Sequence, residues 1–245
     1  MWQFLYGFVT FFYKKGLLKN GQSGIIKINQ NGQWRGEKMN ETFYALPEEE
    51  RQRIINAGYR IFSQNSYKKS PVGEVAKEAG ISKSLLFYYF RNKKELYLFL
   101  WDEACRVTLE ALKEEKCYEP DSLFEMMDRG LDAKMKVMRK YPELTAFVMK
   151  AFYEKDPEIS KTIQESYSGY LDQKAGVTID MLHPEEFRPG LDLEMMLKEM
   201  YWATEGYLWE KIQAGTLQMD ELEKDFRKMM DFWKMSYLNQ GRKEE

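Results

Sequence analysis

The side chains best placed for chemistry in this chain are its cations. Residues 51–96 carry ten Lys or Arg and three Glu, a local net charge of +7, whereas residues 97–245 carry twenty-one basic and thirty-one acidic residues, a net −10. A basic block joined to an acidic body is expected when one part of a protein meets a polyanion and the rest does not. Covalent chemistry has little to work with. His183 is the only histidine and precedes Pro184 in an apparent loop, which leaves almost no raw material for a histidine metal cluster or a serine–histidine–aspartate triad. Cys105 and Cys117 lie twelve apart in or beside helical patterns, which fits neither a disulfide framework nor zinc spacing and suits reduced thiols in a cytosolic protein. Among thirty-nine carboxylates no spacing singles out an acid–base pair. No catalytic residue, metal site or cofactor is expected.

The elements that must hold the basic block are legible from proline, glycine and apolar spacing. Pro47 followed by Glu48, Glu49 and Glu50 marks a helix start, and Ile54, Ile55, Ala57, Gly58, Ile61 and Phe62 mark its apolar face. A second helix is expected from Ser70 as N-cap and Pro71 as first residue to Ala79, with Val75, Ala76 and Ala79 inward. Gly80-Ile81-Ser82 then reads as a tight turn, in which glycine ends one helix and Ser82 caps the next. Lys83 to Phe90 form a short third helix, and Asn92 caps a longer fourth from Lys93 to roughly Lys116. Two short helices joined by a tight turn, the second basic at its start, are a form that the DNA major groove admits.

Residues 51–97 resemble the N-terminal domain of TetR/AcrR-family transcriptional regulators. The resemblance is carried by Val75-Ala76-Lys77-Glu78-Ala79-Gly80-Ile81-Ser82-Lys83 and by Leu86-Phe87-Tyr88-Tyr89-Phe90-Arg91-Asn92-Lys93-Lys94-Glu95-Leu96, about a fifth of the chain. It implies a homeodomain-like three-helix DNA-binding domain over 47–96 and double-stranded operator DNA as partner. It also implies that Lys83, Ser84 and Leu85, with Ser82 beside them, approach bases or adjacent phosphates, and that Phe87 and Tyr88 face DNA. Tyr89 and Lys93 would contact phosphate, the latter aided by a helix N-terminus, and Ser70 the backbone. Phe87 stands where the family often has tyrosine, which leaves van der Waals contact there in place of a phosphate hydrogen bond. Leu86 and Phe90 read as core, Leu85 either as core or as a contact to a thymine methyl, and Arg51, Arg53 and Arg60 as a solvated face.

The rest of the chain is patterned as further helices, and no window alternates as a strand does. Pro120, Pro142 and Pro157 open segments reaching about Lys140, Lys155 and Lys174; residues 175–190 read as a loop; two long amphipathic stretches follow, about 191–213 and 219–239. The fold class is therefore all-α, with about nine helices: the helix-turn-helix domain, then a helical ligand-binding and dimerisation domain over 97–240. The last two helices hold more large apolar residues, among them Met195, Trp202, Trp209, Phe232 and Tyr237, than one core stripe needs, which points to a homodimer. Met127, Met138, Phe147, Phe152, Tyr167, Tyr170 and Trp202 form a candidate lining for a small apolar or aromatic effector, with plain core packing as the competing use. The expected function is a ligand-responsive repressor released from a near-palindromic operator. The alternative is a DNA-binding regulator or architectural factor without a small-molecule ligand, and a helical enzyme is disfavoured by the missing histidine, cysteine and glycine-loop motifs.

Ahead of these elements, Trp2 to Tyr13 is apolar but, at about a dozen residues, too short to span a bilayer and without a signal-peptide cleavage pattern. Arg35-Gly36-Glu37-Lys38 can be encoded by a purine-only run resembling a bacterial ribosome-binding site, and Met39 follows at once. Residues 1–38 are thus expected to be a disordered extension or a start-site artefact, a short interfacial anchor being the other reading. The expected location is the bacterial cytoplasm, on the nucleoid when bound to DNA, with no membrane partner.

Overall fold

Every named element of the computed structural model is a helix, and the described residues are 41–120, 122–167 and 182–239. The expectations for residues 1–38, for Tyr170 and for the end of the segment opened by Pro157 fall outside them. In chain order the α-helices are α1 (Glu41–Tyr44), α2 (Glu48–Gln64), α3 (Val72–Glu78), α4 (Lys83–Tyr89), α5 (Lys93–Glu114), α6 (Leu123–Lys140), α7 (Leu144–Tyr153), α8 (Leu193–Ala214) and α9 (Met219–Tyr237). Residues 160–167 are also helical, and Pro184–Glu186 make one 3-10 turn. The chain is all-α, as its patterning predicts. Among the described residues no helix is long and apolar enough to cross a membrane.

The described residues fall into two compact units, 41–107 with 140–167, and 108–139 with 182–239. In the first, α2 buries Ile54, Ile55, Ala57, Gly58, Tyr59, Ile61 and Phe62 and packs against both α3 and α7. The ring of Phe147 on α7 lies 5.1 Å from Tyr59 and 5.1 Å from Tyr97, and Phe62 lies 4.9 Å from Tyr97. Polar ties fasten the same elements. Gln52 and Asn56 donate to the Lys140 carbonyl, Lys150 Nζ donates to the Ser63 carbonyl, the Tyr67 amide donates to the Glu154 carboxylate at 2.7 Å, and Trp101 Nε1 donates to Ser166 Oγ. Glu154 also accepts from the amides of Lys155 and Asp156, and this draws the chain out of the helix at Tyr153, short of the expected Lys155.

In the second unit α6 turns Met127, Leu131, Lys134 and Met138 inward along one stripe. Ion pairs link it to α9: Arg227 to Asp132 at 2.7 Å, Lys234 to Asp128 at 2.8 Å and Arg139 to Glu223 at 2.8 Å. α8 starts on Asp192, whose carboxylate accepts from the Met195 amide. It ends at Gly215, in the left-handed region at φ 66°, where the Thr216 amide reaches back to the Lys211 carbonyl and that of Gly215 to Ile212. The far end of the α8–α9 pair is closed as well: Phe187 and Leu238 form an antiparallel bridge, the Arg188 amide donates to Tyr237 and the Asn239 amide to Glu186.

Candidate DNA interface

The turn between α3 and α4 is built as its residues demand. Gly80 takes φ 68°, its amide bonds the Lys77 carbonyl and the Ile81 amide bonds Ala76, so the two orphan carbonyls at the end of α3 are satisfied within a reversal of two residues. Ser82 then accepts from the Leu85 amide at 3.1 Å and caps α4. The start of α3 differs from expectation. Residues 66–70 form their own turn, in which Ser70 Oγ donates to the Ser66 carbonyl at 2.8 Å, and the helix begins after Pro71, which holds the N-cap position expected of Ser70. Ser70 is only 5% exposed.

α4 has two sharply different faces. Leu86 and Tyr89 are buried, as is Phe90 just beyond the helix, while Lys83, Ser84, Leu85 and Tyr88 face outward and Phe87 is half-buried at the border. Tyr88 is 61% exposed, a large fraction for an aromatic ring. The Lys83 ammonium stands 5.8 Å from the Phe87 ring centroid. Lys93, at the first position of α5, donates to the Lys68 carbonyl at 2.9 Å and lies 4.9 Å over the Tyr67 ring. Asn92 and Glu95 cap that helix: Asn92 Oδ1 accepts from the Glu95 amide, and the Glu95 carboxylate reaches back to the Arg91 amide.

Residues 54–99, which span this two-helix unit and its supports, match the family model for bacterial regulatory proteins of the tetR family. These residues are a tetR-family DNA-binding domain. The chain is a DNA-binding transcriptional regulator, and the matched span includes α3 and α4. Among its relatives is the fatty acid metabolism regulator protein of Bacillus subtilis, 24% identical over 151 residues, which are 62% of this chain and 77% of that protein. A TetR family regulator from Chloroflexus aurantiacus shares the fold, with TM-score 0.52 and 23% identity over 82% of this chain and 98% of that one. So does the regulator FadR of B. subtilis, solved in complex with stearoyl-CoA, with TM-score 0.54 and 20% identity over 73% of this chain and 96% of that one.

Two arginines on the solvated face of α2, exposed as the sequence suggests, also brace this helix-turn-helix unit. From α2, Arg53 Nε donates to the Ala79 carbonyl at the end of α3 at 2.8 Å, and Arg60 pairs with Glu78 at 2.7 Å. A one-dimensional pattern shows that a residue is off the apolar stripe, not that a neighbouring helix ends beside it. The effector candidates fall into separate groups. Phe147 belongs to the aromatic core of the first unit, where Phe152 and Tyr167 also pair edge to face at 4.8 Å. Met127 and Met138 are buried on α6 in the second unit, and Trp202 on α8 is 58% exposed. Lys134 shares the buried stripe with Met127 and Met138, and burial holds its ammonium well below the usual lysine range. On α5, burial first and the charge of Glu103 second push the Asp102 carboxyl up to about 7, while Glu103 is buried in a two-pronged pair with Arg106.

Proposed function

We propose that the protein is a homodimeric repressor that is released from a near-palindromic operator by a small apolar or aromatic effector. The observation that carries the DNA half of this reading is the exposed face of α4, with Tyr88, Lys83, Ser84 and Leu85 presented on a helix whose other face is buried. Lys83 and Lys93 supply charge for phosphates, Tyr88 and Leu85 the contacts that distinguish bases, and Phe87 a van der Waals edge. The Ser82 hydroxyl, which caps α4 and touches Ser84 Oγ at 2.9 Å, sets those groups at the groove floor, and Tyr89 and Ser70 act from the margin. Lys93 would exchange the Lys68 carbonyl for a phosphate oxygen.

Dimerisation is supported by a row of exposed apolar side chains. Met195, Trp202 and Trp209 recur every seven residues along α8, and Phe232 and Met235 stand out from α9. A second copy covering this row makes a four-helix bundle and sets two α4 helices about 34–36 Å apart, one turn of DNA. The methionine-rich stripe of α6 suits a flexible apolar effector. The relative in complex with stearoyl-CoA makes a long acyl chain the first compound to try. Coupling of about 1–3 kcal/mol between effector and operator would change affinity about 5–150-fold. The reading places the protein in the bacterial cytoplasm.

The test is a titration into a labelled fragment of the gene's own upstream region, beside a scrambled fragment, at about 150 mM salt. Specific binding should fall about tenfold in Tyr88→Ala and in Lys83→Ala, and only the lysine change should lower the salt dependence by about one phosphate. Equal binding to both fragments would reject operator recognition. Specific binding that no acyl or aromatic compound weakens would leave the regulator but reject the effector.

A further inference from the structure

The recognition helix has only seven residues, fewer than two turns, and a helix of that length does not hold itself together in water. Its first turn is fixed by Ser82. Its last turn is fixed from an unexpected place, the single helical turn α1 that precedes the helix-turn-helix unit. Phe43 is 1% exposed. Its ring lies 5.7 Å from Tyr89 and 5.0 Å from Phe90, at the end of α4, and 5.1 Å from Phe99 on α5. Phe90 and Phe99 also touch each other at 4.9 Å, so Phe43 is the third ring of a closed cluster. The turn that carries it is anchored independently of α4: the Leu46 amide donates to the Phe43 carbonyl, and Arg51 on α2 donates to the carbonyl of Tyr44. Phe43 therefore bears on the recognition helix from a base set on α2 and α5. Tyr88, exposed on α4, stacks edge to face on the very tyrosine that Phe43 touches, at 5.8 Å.

We infer that Phe43 is a positioning residue for DNA readout: it holds the C-terminal end of α4 against α5 and so sets the aim of Tyr88. The inference rests on α4 being the reading helix, and it assigns a role to a segment outside residues 54–99, the extent of the family match. Phe43 touches no DNA itself. Truncating it leaves every proposed DNA contact chemically intact but removes the ring that fixes where they point. Direct readout depends on placement within a few tenths of an ångström, whereas attraction to phosphates tolerates looseness. Loss of Phe43 should thus cost specificity far more than charge-driven binding.

The experiment compares full-length protein, Phe43→Ala and Phe43→Leu on the upstream and scrambled fragments across a salt series, with circular dichroism and amide exchange on the same samples. In Phe43→Ala, affinity for the upstream fragment should fall about tenfold, the effect of losing roughly one base contact. Affinity for the scrambled fragment and its salt slope should stay within about twofold, since the phosphate contacts remain. Phe43→Leu, which refills most of the volume, should recover much of the loss. Amides 86–90 should exchange faster in both variants while those of α2 keep their rates. Unchanged specific affinity, or an equal loss on both fragments with exchange accelerated throughout the unit, would overturn the inference. If the alanine variant does not fold, the leucine variant carries the same two readouts. If the parent protein itself fails to distinguish the fragments, the reading of α4 falls instead, and exchange at 86–90 still decides whether Phe43 holds the helix.

Discussion

Asp102 sits one residue before the buried Glu103, whose carboxylate is committed to Arg106, and its own carboxyl is lifted to about 7 by burial and by that neighbouring charge. In the unfolded chain it would titrate near the ordinary aspartate value of about 3.9. The folded state thus binds the extra proton between those two values. Stability from this group is complete below about 4 and is lost as the pH rises through about 7. Asp102→Asn should therefore melt higher than the parent at pH 8, by roughly a few degrees, and gain little at pH 4. Thermal melts over that range check it, and parallel curves for the two proteins would refute it. None of this was legible in the sequence, where Asp102 is one acid among thirty-nine. Arg53 and Arg60 are exposed, as their spacing suggests, but their contacts were hidden for the same reason: the partners lie 26 and 18 residues away and are supplied by folding. Lys83, Ser84 and Tyr88, by contrast, are placed outward by the resemblance of residues 51–97 to the family pattern, and the buried positions 86 and 90 agree with that helix face.

At the scale of elements, the caps show how sharply local chemistry sets boundaries. Among the described residues three helix ends reverse through a left-handed residue, and two of these are glycines, Gly80 and Gly215. The third is Lys116 at φ 51°, in the same arrangement: its amide bonds Lys113 and that of Cys117 bonds Leu112. A side chain in that conformation costs about 1 kcal/mol, and the exposed pair of Lys116 with Glu119 offsets only a few tenths. Lys116→Gly should stabilise the protein by up to about 1 kcal/mol, seen as a higher urea midpoint at unchanged slope. A lower midpoint would mean that the turn is held by something other than backbone geometry. The long helices were legible within a few residues because proline, glycine and a 3.6-residue period agree in marking them. α1 was not, since four residues give no period to read, and the start of α3 after Pro71 follows a turn over 66–70 whose hydrogen bonds no period announces.

For the whole molecule, the consequence of greatest weight is the exposed row on α8 and α9. Trp202 stands in the sequence reading both among the residues that point to a homodimer and in the candidate effector lining, and the structure sets it among the outward apolar residues with Met195 and Trp209. Trp202→Glu should shift the protein towards monomer in sedimentation at micromolar concentration and weaken operator binding by about tenfold or more, because the two half-sites are no longer engaged together. A dimer that survives this change would place the interface elsewhere. The pair that carries the row is tied at both ends, by the reversal at Gly215 and by the backbone bonds joining Glu186 and Arg188 to Asn239 and Tyr237. Two rods fastened at both ends cannot slide lengthwise by a helical step of about 5.4 Å without breaking those fastenings. Axial ratcheting, one of the known ways in which packed helices change state, is therefore closed to this pair. What remains to it is to tilt or roll as a single rigid bracket.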